Sequence, residues 1–333
     1  MSDGPKLKMP MYGTKHAHAE GVLRVMLASP DVEVTGVFEP DPERRRALSA
    51  GGRAPWSAVE WYSRAADFLE DDSIVAVAAE GSNRESLDHA ESIVNAGKHL
   101  FYDKPAGEDF ARFRNIVGAA RERGLLVQLG YMFRYHDGFE RIASWARSGF
   151  LGDLFAVRAH MSSWIPPESR AEIAHHRGGI FYDLAGHMID QIVWLLGRPE
   201  RVSSFMRSST ANPPGFVDNS LAVFEHGQAL AFLDIAAMEA RPMARRFEVY
   251  GTKGSAIMEP FEPAETLRLC LDEPRDGFPA GASILKLEDR PRYVAGLAAF
   301  VKDIRREKTP DRSLDHELHV QETLLRATGS LPG

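Results

Sequence analysis

The chain has 333 residues, 40 Lys and Arg against 47 Asp and Glu, and a formal net charge of −7; 44% of its residues are hydrophobic and 26% charged. At about 150 residues per domain this length predicts two domains or one large one, and 28 Gly and 20 Pro are too few for a low-complexity or fibrous chain. The acidic balance argues against bulk binding to nucleic acid, there is no apolar run of about 18 residues to span a membrane, and a single cysteine, Cys270, excludes an internal disulfide and a multi-cysteine metal site.

The N-terminal stretch Met1 to Lys8 is polar with no apolar segment behind it, unlike a signal peptide, so a cytoplasmic protein is expected. In chain order, Val32 to Phe38, Ile74 to Ala79, His99 to Tyr102 and Leu125 to Leu129 read as strands. Ala17 to Ala28, Arg84 to Ala96 and Asp109 to Glu122 read as helices between them. This alternation predicts βαβ units and a parallel, doubly wound Rossmann layer over 1–130. Pro10 cannot donate to a central ladder, so the first strand is expected to be short or bent.

After about Gly130 the pattern changes. A helix over Asp137 to Ser148 and a strand over Leu154 to His160 precede a second helix, Ile180 to Leu196, stopped by Gly197-Arg198-Pro199. Strands then follow without helices between them: Val202 to Met206, Ser220 to Glu225, Ala229 to Ala236, Arg246 to Tyr250 and Ala256 to Glu259. His226-Gly227-Gln228 and Gly251-Thr252-Lys253-Gly254 are hairpin-turn candidates. The fold class expected for 131–333 is therefore α+β, with a large mixed or antiparallel sheet and helices on one face. A homodimer or homotetramer is the simplest cover for the other face. Tyr293 to Glu307 and Leu314 to Thr328 read as closing helices.

A Rossmann domain binds its dinucleotide at the first strand–helix turn, where glycines admit the pyrophosphate. Here that turn is Gly13-Thr14-Lys15-His16-Ala17-His18. Against G-x-G-x-x-G only Gly13 is kept; Lys15 and His18 occupy the other two glycine positions. Lys15 either supplies charge to a phosphate or fills the space the glycine left. Glu39 closes the second strand, where an acid accepts from ribose hydroxyls and repels a 2′-phosphate, which favours NAD over NADP without excluding the latter. Arg44, Arg45 and Arg46 soften that preference.

Three segments carry a family resemblance. Ala96-Gly97-Lys98-His99-Leu100-Phe101-Tyr102-Asp103-Lys104-Pro105 resembles the A-G-K-H-V-x-x-E-K-P stretch of the Gfo/Idh/MocA family. Gly130-Tyr131-Met132-Phe133-Arg134-Tyr135 with Gly149-Phe150-Leu151-Gly152, and Gly178-Gly179-Ile180-Phe181-Tyr182-Asp183-Leu184-Ala185-Gly186-His187-Met188-Ile189-Asp190, are similar to two further family motifs. The resemblance implies an NAD(P)-dependent oxidoreductase with an N-terminal Rossmann domain and a C-terminal sheet used for substrate binding and oligomerisation. Asp103 departs from the family's Glu, and Gly81-Ser82-Asn83-Arg84-Glu85-Ser86 from its T-P-x-x-x-H.

Asp183 and His187 lie four apart on the expected helix, hence on one face. A carboxylate beside an imidazole orients the ring for proton transfer near neutral pH; the plain alternative is a helix-stabilising surface pair. Lys104 follows a strand of the sheet, where its ammonium can stabilise an alkoxide. These three positions match the family's catalytic Lys, Asp and His. The expected roles are general acid/base for His187, alkoxide partner for Lys104, and orienter or substrate ligand for Asp183. Expected cofactor contacts are Gly13, Thr14, Lys15, His16, Glu39 and Lys104. Arg134, Trp164, His175 and His176, with Asp183, are expected to contact a sugar, polyol or related carbohydrate. The histidines follow no metal-ligand spacing, so no metal is expected. Two other readings remain open: NAD-using elimination, epimerisation or glycoside cleavage on the same fold, and a non-catalytic dinucleotide- or sugar-binding regulator.

Overall fold

The computed structural model describes residues 4–333, so the first three positions of the polar N-terminal stretch lie outside the described residues. The chain divides into two compact units. The first comprises Met1–Tyr131 with Pro291–Leu318, and the second Met132–Arg290 with His319–Gly333.

In the first unit, β1 (Leu7–Lys8), β2 (Met11–Tyr12), α1 (Ala19–Ala28), β3 (Val32–Glu33) and β4 (Val37–Phe38) open the chain. The single strand expected over Val32 to Phe38 is broken in two, with Gly36 between the halves. The first strand is likewise broken at Pro10, which lacks an N–H but accepts from Ala78 N at 3.0 Å. α2 (Pro42–Ala50) follows. It has no apolar stripe to betray it in the sequence and buries no residue. Its start is specified by Pro42 and by Asp41, whose carboxylate accepts from Glu43 N and Arg44 N. Next come α3 (Ala66–Leu69), β5 (Ala76–Ala79), α4 (Ser86–Asn95), β6 (His99–Tyr102), α5 (Phe110–Glu122) and β7 (Val127–Leu129). Five strands form a parallel sheet in the order β4-β2-β5-β6-β7, and β1 pairs with β3 beside it. β5 is buried at all four positions, as a central parallel strand requires.

The second unit contains α6 (Asp137–Arg147), β8 (Leu154–His160), α7 (Pro167–Ile173), α8 (Ile180–Leu184) and α9 (Gly186–Leu196). It continues with β9 (Arg201–Arg207), β10 (Asn219–His226), β11 (Ala229–Ala236), β12 (Arg246–Gly251), β13 (Gly254–Met258), β14 (Thr266–Leu271) and β15 (Gly281–Lys286). Eight strands make one mixed sheet, β15-β14-β13-β12-β8-β11-β10-β9, whose single parallel pairing is β11 with β8. Both expected hairpins are present, across Gly227-Gln228 and Thr252-Lys253. The helix expected over Ile180 to Leu196 is two helices, interrupted between Leu184 and Gly186.

The chain then returns to the first unit as α10 (Val294–Ile304), and the unit boundary falls inside α11 (Leu314–Ala327). A C-terminal domain running unbroken over 131–333 was expected. Pro291–Leu318 departs from it because Leu297, Phe300 and Val301 of α10 insert into the first unit's core with Met11, Leu23, Ala78 and Phe101. No helix among the described residues is long and apolar enough to cross a membrane.

Candidate active site

In the first unit, the C-terminal ends of β2, β4, β5 and β6 carry the candidate cofactor residues. Gly13 leaves β2 with φ +81°, and a Cβ there would lie 2.7 Å from the Gly81 backbone, so only glycine fits. Thr14 is buried, and both its N and its Oγ1 donate to Glu39 Oε2, at 2.8 and 2.6 Å. The other Glu39 oxygen accepts from Asp41 N at 2.9 Å. Glu39 is thus a buried clamp that ties β4 to the turn, rather than an exposed strand-end acid. Arg44 closes over the same turn, donating from Nε to Thr14 Oγ1 and from Nη2 to Thr14 O, both at 2.7 Å.

Lys15 turns aside to an ion pair with Glu85 at 2.7 Å, and Glu85 also accepts from Ser82 N and Oγ. The hydrogen bond to Glu85 raises the Lys15 pKa, outweighing a smaller desolvation effect. A cleft of about 430 Å³ is lined by Thr14, Lys15, His16 and Ala17 from the turn, and by Arg44, Arg53 and Trp56. The Gly13 cradle and the three cations of this cleft suit a dinucleotide phosphate. Lys15 and His18, at the lost glycine positions, are the features that depart from the usual pattern.

His16 and His18 converge on Asp103. His16 Nδ1 lies 2.8 Å and His18 Nδ1 3.1 Å from Asp103 Oδ2. Asp103 Oδ1 accepts from Lys104 N at 2.6 Å. Glu80, at the end of β5, has its carboxyl against that of Asp103. Two buried carboxyls side by side cannot both ionise cheaply. Burial, then the Asp103 charge, pushes Glu80 well above the ordinary carboxylate range. Burial pushes Asp103 upward too, but the charges and hydrogen bonds of His16 and His18 outweigh it and hold Asp103 well below that range. Burial lowers His18, against the pull of Asp103. Lys104 is itself buried, at 3% exposure, directly beyond β6.

The second unit holds the other candidates. Gly178 and Gly179 both have positive φ, and a Cβ on Gly179 would collide with the Val217 carbonyl, which accepts from Ile180 N at 3.0 Å. This close approach anchors the start of α8, which carries the half-buried Asp183. His187 lies in the first turn of α9, buried, with its ring edge-on to Phe133 at 5.4 Å. Arg134 was expected to meet substrate. It is buried instead in an ion pair with Asp190, from Nε at 3.0 Å and Nη2 at 2.7 Å to Oδ1. This arrangement makes it a strut that positions α9. His176 is buried and stacked on Tyr182 at 4.9 Å, whereas His175 is exposed and Trp164 is 44% exposed.

Sequence reasoning passed over Asp190, Asp103 and Glu80 as site residues. Each carried a signal. Asp190 follows His187 by three positions on one helix face, and Glu80 and Asp103 are acids closing buried strands at the ligand-binding end of a parallel sheet.

Residues 8–131 match the model of an oxidoreductase family with an NAD-binding Rossmann fold, and residues 139–257 match the GFO/IDH/MocA C-terminal domain. The dTDP-3,4-didehydro-2,6-dideoxy-alpha-D-glucose 3-reductase of Streptomyces violaceoruber is 26% identical over 310 residues, 90% of this chain and 86% of that protein. Among solved structures, the UDP-N-acetylglucosamine 3-dehydrogenase GnnA of Acidithiobacillus ferrooxidans superposes with a TM-score of 0.81 at 18% identity, covering 98% of each chain. GenD2 from gentamicin A biosynthesis, in complex with NAD, gives 0.80 at 20% identity, covering 99% of this chain and 95% of its own. At these identities the structural likeness establishes the fold.

Proposed function

Because this chain belongs to the GFO/IDH/MocA family of NAD-binding oxidoreductases, we propose that it transfers hydride between a nicotinamide cofactor and a sugar, polyol or sugar derivative. The observation that carries this reading is Lys104, a lysine buried at the C-terminal end of a central parallel strand. That is where doubly wound sheets bind ligands. Named relatives act on nucleotide sugars, which supports the substrate class.

Gly13, Thr14, Lys15, His16 and Glu39 would hold the dinucleotide, with Lys104 on its reactive side. When bound, the nicotinamide ring supplies the hydride acceptor or donor. The chain's own work is proton transfer and orientation. Lys104 Nζ donates to the substrate oxygen and stabilises its alkoxide. A ring nitrogen of His187 takes the hydroxyl proton during oxidation and returns it during reduction. Asp183 orients the imidazole or binds a neighbouring hydroxyl. Trp164 covers a C–H face of the sugar, and His175 and His176 read its hydroxyls.

The reading includes a cytoplasmic homodimer or homotetramer assembled through the open face of the sheet. Leu230 and Phe232 of β11, Phe205 of β9 and Ile284 of β15 are all large, apolar and exposed. Pairing places Phe232 beside Val223, and Phe205 beside Leu221, on that face. A monomer rarely leaves such a patch in water.

The test begins with calorimetric titration of nucleotide-free protein with NADH and, separately, NADPH. Binding of either is followed by a turnover screen with keto-sugars and nucleotide sugars, in which Lys104→Met and His187→Ala should each lose activity while remaining folded. Failure to bind both nucleotides, or full turnover by His187→Ala, refutes the reading.

A further inference from the structure

We propose that His16, His18 and Asp103 form a binding site for one divalent transition-metal cation of the zinc or cobalt type. Each residue offers one ligand atom, and these atoms all lie within 4.8 Å of one another. The two imidazole rings sit 4.6 Å apart at 68°, so they are edge-on to each other and do not stack. Both turn Nδ1 to the same carboxylate oxygen, at 2.8 and 3.1 Å. Ligands at Zn–N and Zn–O distances near 2.1 Å stand roughly 3.4 Å apart in a tetrahedron. The two imidazole nitrogens, at 2.8 and 3.1 Å from Asp103 Oδ2, need to draw back from that oxygen by only roughly 0.3–0.6 Å to admit the ion. Imidazole nitrogen with carboxylate oxygen is a borderline donor set, which suits Zn²⁺ and Co²⁺ better than Mg²⁺ or Ca²⁺.

A second, independent observation points to a cation at this place. Glu80 is 1% exposed, and neither of its oxygens has a hydrogen-bond partner among the described residues. Its carboxyl lies against Asp103. A carboxyl buried without a donor beside a second carboxyl is costly, and a divalent ion held at Asp103 offsets the negative charge there. Asp103 is already oriented by Lys104 N at Oδ1, which leaves Oδ2 to the imidazoles. His18, which stands at one of the lost glycine positions, thus has a use of its own beside His16: together they replace a turn built from small residues with one closed by a metal. The competing arrangement uses no metal; a proton shared between Glu80 and Asp103, with the His18 imidazole donating to Asp103 and His18 N donating to His16 Nδ1, would hold the same atoms together.

The experiment uses the full chain, freed of metal by chelation and without nucleotide or substrate, so its result is separable from that of the hydride-transfer reading. Co²⁺ is titrated with absorption as the readout, and Zn²⁺ by calorimetry. One equivalent should bind, with the visible ligand-field bands of a low-coordinate Co²⁺ ion carrying nitrogen ligands. His16→Ala and His18→Ala should each weaken binding by at least about tenfold. Zn²⁺ should raise the melting temperature of the parent protein and not that of the variants. If either histidine variant fails to fold, the isosteric Asp103→Asn replaces it. His175→Ala, at an exposed histidine outside the cluster, should bind as the parent does. Absence of saturable binding, or binding equally tight in the His16 and His18 variants, overturns the proposal in favour of the shared proton.

Discussion

Arg134 and Asp190 make the most decisive stability test in the second unit. Their side chains are 1% and 0% exposed, and two guanidinium nitrogens reach one carboxylate oxygen at 3.0 and 2.7 Å. Asp190 Oδ2 accepts a further bond from Gln191 Nε2 at 3.1 Å. In Arg134→Met the carboxylate keeps its burial and loses its counter-charge, which costs about 3–5 kcal/mol. For a unit of this size each kcal/mol moves the melting temperature by roughly 2–4 °C, so the loss is on the order of 10 °C. Asp190→Leu should cost as much, because it strands the guanidinium. The double variant Arg134→Met/Asp190→Leu removes both charges and should recover most of the loss, giving a coupling energy of several kcal/mol in the cycle. The assay is urea unfolding followed by circular dichroism and tryptophan fluorescence, with the midpoints compared at constant slope. If both single variants lost less than about 1 kcal/mol while Arg134→Met raised KM, Arg134 would be a substrate ligand and the strut argument would be refuted.

Other outcomes follow from single sites. Gly13→Ala combines a positive φ with a 2.7 Å approach to the Gly81 backbone, so it should lower stability by more than the about 1–3 kcal/mol of backbone strain alone; an unchanged melting curve would mean that the turn relaxes freely. Burial holds His89, His99 and His226 at a pKa of about 4. Their folded pKa lies below the unfolded value, so stability should fall as pH drops from about 6.5 toward 4 and level off below. For His89, stacked on Tyr12 at 3.9 Å, the limit is on the order of 3 kcal/mol. Urea midpoints that stay flat across that range would contradict the burial. His160 behaves oppositely. Its hydrogen bond to Asp234 at 2.6 Å, with Glu239 at 3.2 Å, raises its pKa against the effect of burial. Its contribution should be complete below about pH 6.5 and disappear as pH rises through the raised pKa. His160→Gln should abolish that alkaline-side slope while leaving the acid-side one intact.

Periodicity was enough to read the alternating first unit and the strand-rich second unit, because apolar spacing reports directly which face each element buries, and the glycine-bearing turns marked both hairpins. Lys104, Asp183 and His187 could be singled out as candidates because their motifs are local. α2 was not legible, because an uncapped reading sees only charged residues and the helix buries none of them. β14 and β15 were passed over as well. β15, at the sheet edge, has no buried position at all; β14 does alternate, with Leu267, Leu269 and Leu271 buried, and its period-two signal was there to be read. Nothing local in Pro291–Leu318 announces that it returns to the first unit's core.

The partners of the site residues were the least accessible. Nothing in the sequence shows that Thr14 and Asp41 donate to the two oxygens of Glu39, and Arg134 reads as a substrate contact until Asp190 is seen paired with it. His16, His18, Glu80 and Asp103 come from three strand ends spread over nearly ninety positions. What a sequence carries by itself is spacing within an element. Which charges face one another, and so which are spent on holding the fold and which remain for chemistry, is decided only when strands from distant parts of the chain lie side by side.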